Sequence, residues 1–512
     1  MAKIFSNRLS EYTHENGGRV LLLFLLFLLA IFLFIDSSFP AFAIVCLSPL
    51  LILCVYILFK WRMAAFWALI VINYIVQFKE SPLPSAVPLS MWNEMIEIIL
   101  LAIAIIDARQ TPQFDRCFNL MLFALAIWCG FCTIQIINDT CDIGLDIGAW
   151  YTGARLLAYQ VLYAFIIFSI YISTPKNLQG YLYLWAVLSL FSVFWTYKQR
   201  YIGLTPTESA WLYYGAGRNT HLIQAGTLIR YWSTFSDAAS YGIHAAAASV
   251  VFIIIAITTK ITRDRIFFAI SSILVIWGMF QSGTRTAIFC LGLGLFIYVF
   301  LSKSVKIAVP FSIVFGLFAC MLMFTNIGQG NQQIRRMRSA FDKKDASANV
   351  RDINKDAIRK YIKDAPWGIG LGMSPDNIPA NNKFRKLSTI PPDSEYVFIW
   401  VHTGPIGVTV FACCMVLIFF GGCNVVLFKL KNKTLIGIGA GFCCAFVAIN
   451  LGGYANQVLY QYPNGVTFFG GMAIVYILPY LEPEWEEYEQ KRIAQNEEKK
   501  RLKLEKKMAS RV

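Results

Sequence analysis

Charged side chains are scarce in this sequence: Asp, Glu, Lys and Arg make up only 15% of its 512 residues. A soluble protein carries about 25% charged residues, so the composition excludes an ordinary soluble domain. Apolar residues make up 57% of the chain, and the mean hydropathy is +0.56. Apolar segments long enough to cross a bilayer recur from Val20 to Tyr480. The sequence therefore predicts an all-α protein, a polytopic bundle of about 12–14 transmembrane helices.

Histidine is also scarce, with four residues in the whole chain and no cluster of His and Cys. A zinc site built by the protein is therefore not expected. The thirteen cysteines lie mostly in apolar segments. Cys129 and Cys132 have the spacing of a redox motif, but they fall inside an apolar run, which favours membrane packing. We expect no metal and no cofactor.

Fourteen apolar segments are the predicted spans: 20–35, 41–59, 63–78, 94–108, 118–137, 155–173, 180–197, 241–259, 265–281, 285–302, 306–325, 404–428, 434–450 and 465–480. Alternate short connections carry Lys and Arg, which places them and the amino terminus in the cytoplasm. The first segment also resembles a signal peptide. A retained first helix gives an even number of spans and leaves both charged termini inside.

This topology predicts five regions. Residues 1–19 are a cytoplasmic amino terminus, and residues 20–325 hold helices with an extracytoplasmic loop near 198–240. Residues 326–403 form a large extracytoplasmic helical loop, residues 404–480 the remaining spans, and residues 481–512 a charged cytoplasmic tail. The large loop is basic, with thirteen Lys and Arg against eight Asp and Glu in 326–402. Positive charge is normally avoided on that side of a membrane, so we expect an anionic partner there.

Within the large loop, residues 349–364 are predicted to form a helix that ends before Pro366. A basic stripe follows this helix at every fourth residue, formed by Arg351, Lys355, Arg359 and Lys363. Further arginines lie at the outer ends of predicted spans: Arg155, Arg230 and Arg285. One such arginine alone is best explained by snorkelling to lipid headgroups or by pairing with a carboxylate. Several together favour a phosphate-binding site, because a guanidinium binds phosphate with two parallel hydrogen bonds.

Asp393 and Glu395 precede the predicted span 404–428, beside this basic field. A carboxylate there is a candidate general base for a sugar hydroxyl, or equally a helix amino-terminal cap. His402 is better explained as a hydrogen-bonded interfacial histidine than as a catalyst. Trp211 belongs to an aromatic loop that could stack on sugar rings or anchor the membrane interface. The run Gly368-Ile-Gly-Leu-Gly372 lacks the preceding strand and the following Lys-Ser/Thr of a nucleotide-binding loop.

Four motifs in order resemble the O-antigen ligase and O-antigen/exopolysaccharide polymerase superfamily of bacterial membrane proteins. They are Arg230-Tyr-Trp-Ser-Thr-Phe-Ser-Asp237, Ser282-Gly-Thr-Arg-Thr-Ala287, the helix from Arg351 followed by Pro366-Trp-Gly-Ile-Gly-Leu-Gly372, and Asp393-Ser-Glu-Tyr396 continuing to Gly404 and Gly407. The resemblance covers roughly residues 150–425. The sequence departs from the ligases at two positions, since Asp393 stands where those proteins carry a histidine and His402 where a glutamate is common.

The resemblance implies a metal-independent glycosyltransferase in the bacterial inner membrane with its active site facing outward. The donor would be an oligosaccharide linked to polyprenyl pyrophosphate, and the acceptor another glycan, with a chain-length regulator as a candidate partner and no nucleic acid. Asp393, Arg285 and Arg351 would be catalytic. Substrate-binding candidates are Arg155, Arg230, Arg359, Lys355, Trp211 and His402.

The acidic residue at 393 resembles the polymerase branch, which joins lipid-linked repeat units. The first alternative is a ligase that transfers a finished glycan to lipid A-core or another acceptor. The second is a transporter, which should place ionisable groups at mid-membrane. Charge here concentrates at one face, which argues against transport.

Overall fold

A computed structural model describes residues 60–81, 89–106, 114–223, 228–302 and 346–509, with scattered residues between 18 and 57 and between 310 and 338. The predicted spans 20–35, 41–59 and 306–325 lie largely outside the described residues, as do the amino terminus 1–19 and the first part of the large loop. The chain divides into two compact units, Met1–Ala65 and Phe66–Val512.

The described residues are almost entirely helical. The helices are α1 Arg62–Ile75, α2 Leu89–Ile106, α3 Leu120–Ile134, α4 Ile147–Ala154, α5 Gln160–Tyr171, α6 Pro175–Tyr197, α7 Pro206–Tyr213, α8 Arg218–His221, α9 Ala238–Thr258, α10 Thr262–Gln281, α11 Arg285–Leu301, α12 Ala346–Ile362, α13 Arg385–Thr389, α14 Glu395–Asn424, α15 Lys433–Ala455 and α16 Asn464–Ala509. Short 3-10 turns lie at Phe114–Cys117 and Gln135–Ile137, and π turns at Arg155–Tyr159, Lys198–Ile202 and Val425–Lys429. Two strands, β1 Leu222–Ile223 and β2 Leu228–Ile229, form one antiparallel pair.

Eight helical segments in the described part of the chain are long and apolar enough to cross a membrane. They are Leu120–Ile137, Ile147–Tyr171, Pro175–Ile202, Ala238–Thr258, Thr262–Gln281, Glu395–Lys429, Lys433–Ala455 and Asn464–Glu498. Two shorter apolar helices, α1 and α11, accompany them. The prediction of an all-α polytopic helical protein is confirmed. The count of fourteen spans stays a prediction.

Helix α9 lies at the centre of the helical core. It packs against α10, α11 and α15, and its side chains are buried along nearly its whole length. The alanines 245–248 give α9 a thin cross-section, and Gly437 of α15 lies against Thr258. Small residues allow membrane helices to approach closely, which explains the tight packing here. The hairpin between α10 and α11 is bonded to Ala238, the first residue of α9, so α9 also fixes the position of that hairpin.

Helix α16 runs without interruption from the apolar core into the charged carboxyl-terminal segment. Arg492 donates two hydrogen bonds to the Asp264 carboxylate at 2.8 and 3.0 Å. Glu489 pairs with Lys260 at 2.8 Å. These ion pairs bind the tail to the connection between α9 and α10, at the end of the bundle opposite the α10–α11 hairpin. Residues 481–509 of the predicted tail therefore continue an apolar helix long enough to span a membrane.

Candidate functional site

The hairpin between α10 and α11 places Arg285 at the first residue of α11. The turn is tight because Gly283 adopts a φ of 58°, a conformation that glycine reaches without steric cost. Thr284 donates a hydrogen bond from its hydroxyl to the Ala238 carbonyl at 2.8 Å, which joins the hairpin to the start of α9. The position of Arg285 is thus set by two helix ends.

Arg230 lies against the same hairpin. Its Nε donates to the Ser282 carbonyl at 3.3 Å, and its Nη2 donates to the Thr284 hydroxyl at 3.0 Å. Its Nη1 donates to the Thr220 carbonyl at 3.1 Å. All three partners are neutral oxygens, so these hydrogen bonds orient the guanidinium without cancelling its charge.

Arg351 of α12 approaches the hairpin from the large loop. Its Nη2 donates to the Asn456 side-chain oxygen at 3.2 Å, and the Asn456 amide in turn donates to the Thr286 hydroxyl at 3.5 Å. Asn456 follows the last residue of α15 and forms its carboxyl-terminal cap. Thr284 and Thr286 therefore flank Arg285, with Arg230 held at the first and Arg351 linked to the second.

The electrostatics agree with this geometry. Burial lowers the pKa of Arg230, Asp237 opposes that shift, and the charges of Arg285 and Arg351 lower it further. The three predicted arginines are therefore close enough to repel one another. Asp237 is already engaged, because its carboxylate accepts the backbone N–H groups of Ala239 and Ser240 at the start of α9. Three guanidinium groups beside one occupied carboxylate form a surface suited to a multivalent anion.

Asp393 is joined to the same loop helix. Its Oδ2 accepts a hydrogen bond from the Asn354 amide at 2.8 Å, and Asn354 lies three residues after Arg351 on one face of α12. Asp393 has a φ of 53°, which is rare for a residue with a side chain. Ser394 occupies the cap position of α14, but its hydroxyl donates to the Gly453 carbonyl at 3.3 Å. In the structure Asp393 bonds Asn354, and no side-chain cap hydrogen bond is found at the start of α14.

Glu395, beside it, is buried and accepts a hydrogen bond from the Leu459 backbone N–H at 3.2 Å. Leu459 belongs to the segment 456–463, which also supplies Asn456. This carboxylate therefore positions that segment and is not presented to solvent. Of Asp393 and Glu395, only Asp393 is partly exposed.

The basic residues of the α12 stripe differ in what they face. Lys355 donates to the Tyr454 hydroxyl at 3.5 Å and lies over its ring, so it points toward the end of α15. Arg359 pairs with Asp356 at 3.3 Å, and 62% of its side chain is exposed. The first two basic residues thus face the hairpin side, and Arg359 faces solvent.

His402 lies inside α14, and its Nδ1 donates to the Gly370 carbonyl at 2.9 Å. The backbone N–H groups of Ile369 and Gly370 donate to the carbonyls of Val401 and His402 at 3.0 and 3.1 Å. The glycine-rich run is therefore a turn that docks the loop on α14. The role of His402 in substrate binding stays a prediction, and these contacts give it a structural role.

Arg155, unlike Arg230 and Arg351, is paired with a carboxylate. Its Nη1 forms an ion pair with Glu94 at 2.9 Å, and both side chains are nearly buried. Tyr151 donates a further hydrogen bond to the same carboxylate at 3.3 Å. Pairing with a carboxylate was the alternative for a single outer arginine, and Arg155 shows that contact.

Trp211 belongs to an aromatic cluster. Its ring centroid lies 4.5 Å from that of Trp232 and 4.8 Å from that of His221, and the Lys79 ammonium lies 4.4 Å from its centroid. Burial lowers the pKa of Lys79, while Asp237 raises it. Lys79 is therefore a cation near the arginine site, although it is not among the residues predicted from the sequence. The sequence does contain an indication of Lys79, because this residue follows a predicted span at the predicted outer end of that span, where cations are disfavoured.

Two amides were also missed. Asn354 and Asn456 orient Asp393 and Arg351, but a neutral amide carries no compositional signal in a loop. Only the contacts between distant parts of the chain identify them.

Residues 270–412 match the family model described as O-Antigen ligase. The match confirms, over that part of the chain, the resemblance predicted from the motifs at Ser282, Arg351 and Asp393. It supports a membrane enzyme that processes glycans. No curated protein matches the sequence.

The matched residues include Arg285, Arg351 and Asp393, whereas Arg155, Trp211 and Arg230 precede them. Arg230 nevertheless joins the site through its bonds to Ser282 and Thr284. The family match and the arginine cluster thus overlap at the hairpin.

Proposed function

We propose that this protein is a membrane glycosyltransferase that joins polyprenyl-pyrophosphate-linked glycan repeat units into a surface polysaccharide. The observation that carries the proposal is the convergence of Arg230, Arg285 and Arg351 at one hairpin, with Asp393 bonded to the same loop helix as Arg351. The family match over 270–412 supports a glycan substrate. Pyrophosphate is the multivalent anion that such a donor would bring to the bilayer surface.

In the proposed reaction, the acceptor hydroxyl attacks the anomeric carbon of the donor sugar. Its proton passes to the Asp393 carboxylate as the new glycosidic bond forms. The bond from the anomeric carbon to the pyrophosphate oxygen breaks, and the lipid pyrophosphate leaves with the electron pair. The arginines stabilise the charge that develops on this leaving group, and they need little reorganisation because neutral oxygens already orient Arg230 and Arg351.

The topology of the proposal places this site on the outer face of the inner membrane. The opposite end of the bundle carries the connections with Lys260, Lys429 and Lys431 and the basic tail, as expected for a cytoplasmic end. The large loop would then cover the site from outside. A chain-length regulator remains a candidate partner at that face.

The second candidate is a ligase that transfers a lipid-linked glycan to lipid A-core or another acceptor. The description of the matched family as O-antigen ligase favours it. Asp393, at a position where the ligases carry histidine, favours the polymerase. Both reactions would use the same pyrophosphate site.

The decisive variants are Arg285→Ala and Arg351→Ala. Loss of one preorganised charge from such a site lowers the rate by about 10²–10³-fold, so each should abolish elongation of the surface glycan. Glycan length is read on a gel from a deletion strain complemented with each variant, and immunoblotting of membranes confirms equal protein amounts.

Lys360→Ala is the matched control on the same helix, because Lys360 is exposed and is not among the predicted site residues. It should retain wild-type glycan. Full-length glycan in both Arg285→Ala and Arg351→Ala would refute the pyrophosphate site.

A further inference from the structure

A cavity of about 220 Å³ lies at the end of the bundle opposite the arginine site. The amino end of α3, the carboxyl end of α14 with its π turn, and α16 enclose it. At about 30 Å³ per water molecule, this volume would hold roughly seven waters, enough for a small polar headgroup. It is independent of the residues proposed to bind the glycan donor.

The wall of the cavity combines polar and aromatic groups. Asn119, Asn424 and Lys429 line it together with Tyr476 and Tyr480. Lys429 is exposed, and it is the one charged residue among those lining the cavity. The cavity is therefore complementary in charge to an anion.

Two further groups add positive charge near the cavity. The Arg116 guanidinium lies 5.9 Å from the Tyr480 ring centroid and donates to the Ser173 carbonyl at 3.2 Å. The amino end of α3, at Leu120, adds the positive end of a helix dipole, with two of its N–H groups already capped by the Asn119 side-chain oxygen. The nearby Glu482 carboxylate already accepts hydrogen bonds from the backbone N–H groups of Lys431 and Asn432, which follow Lys429 in the chain.

The rim of the cavity is apolar and open. Of the residues that line the cavity, Phe118 is 76% exposed and Tyr480 52%, and Phe428, the neighbour of Lys429 in the chain, is 80% exposed. Large exposed apolar side chains at the ends of helices long enough to cross a bilayer are suited to contact lipid chains. A ligand of the cavity would thus meet cationic and amide groups at its head and apolar groups along its rim.

We propose that this cavity binds the headgroup of an anionic phospholipid from the leaflet on the cytoplasmic side. The combination of an anion-complementary wall with an apolar rim fits a phospholipid better than a free phosphate ester, which would gain nothing from the rim. Basic pockets between spanning helices on this side of a membrane bind anionic headgroups in this way.

The test is native mass spectrometry of the full-length protein in detergent, titrated with dioleoylphosphatidylglycerol or dioleoylphosphatidylethanolamine. The first phosphatidylglycerol should bind more tightly than the first phosphatidylethanolamine. Lys429→Ala should weaken that first phosphatidylglycerol about fivefold. Asn424→Trp, at an exposed position, should fill the cavity and remove the preference altogether.

Lys431→Ala is the matched control, since Lys431 is exposed and close in sequence but does not line the cavity. It should bind phosphatidylglycerol as the wild type does. Equal weakening in Lys429→Ala and Lys431→Ala, or an unchanged preference in Asn424→Trp, would overturn the proposal. Displacement of the lipid by an equal concentration of glycerol phosphate would also overturn it, in favour of a soluble phosphate ester.

Discussion

At the scale of single residues, the sequence identified the charges of the site but not their partners. The positions of Arg230, Arg285 and Arg351 followed from motif and topology, and the structure brings these three together. Arg155 looked equivalent in sequence, yet it pairs with Glu94, which precedes it by 61 residues. Sequence patterns show that a residue lies at a helix end, but not which residue of another helix lies beside it.

His221 gives a residue-scale prediction about pH. Burial lowers its pKa to about 3, with the charges of Arg230 and Lys79 adding to the shift. Its Nε2 accepts the Ala238 backbone N–H at 2.9 Å, so the folded protein needs the neutral ring. The unfolded chain binds this proton near pH 6.5 and the folded one only near pH 3. Stability is therefore complete above about pH 6.5 and falls as the pH drops toward 3.

The expected loss from this one group between pH 6.5 and pH 5 is about 2 kcal/mol, at roughly 1.4 kcal/mol per pH unit. His221→Gln keeps an acceptor but removes the titration, so unfolding of that variant should depend less on pH over this range. Chemical unfolding of the purified protein at both pH values measures the difference. Identical pH dependence of the two proteins would contradict the assignment.

At the scale of elements, the large loop is attached to the spanning helices at two places of different kinds. Helix α12 is held by side-chain hydrogen bonds, through Arg351 and Asn354. The glycine turn is held by backbone contacts to α14, where Gly404 interrupts the helix with a φ of 69° and a ψ of −177°. The sequence predicted α12 and the turn, but the docking of the turn on a break within α14 depends on non-local packing.

Gly404→Ala should therefore destabilise the protein, because a Cβ there would clash with the Pro366 carbonyl oxygen and few residues besides glycine adopt this conformation. The expected cost is about 1–3 kcal/mol or more. Gly130→Ala is the matched control, since no atom lies within 4 Å of its Cβ position and the site is an exposed helix interior. Thermal unfolding in detergent compares the two, and equal midpoints would show that the turn does not need this glycine.

At the scale of the whole molecule, composition and hydropathy were sufficient for the all-α membrane architecture. The five predicted regions and the fourteen spans remain predictions, because several of them fall largely outside the described residues. Both reactions proposed for the site would use the same fold and the same arginines. The two reactions are therefore distinguished by the glycans that a cell makes with and without the protein.

A deletion strain provides that distinction. If the protein is a polymerase, the strain should still attach single repeat units to its surface acceptor, so the gel shows one short band. If it is a ligase, all attachment is lost and long lipid-linked glycan accumulates. Complementation with the wild-type gene should restore the full ladder in either case.

The neutral partners of the arginines have an energetic consequence. Arg230 and Arg351 are oriented by carbonyl, hydroxyl and amide oxygens, while their mutual repulsion with Arg285 is opposed mainly by Asp237. The folded protein thus holds like charges together before any donor arrives, and part of its folding free energy is used to do so. An anion that enters the site relieves this repulsion. Binding of the donor and stability of the fold are therefore linked, so the loaded protein resists unfolding better than the empty one.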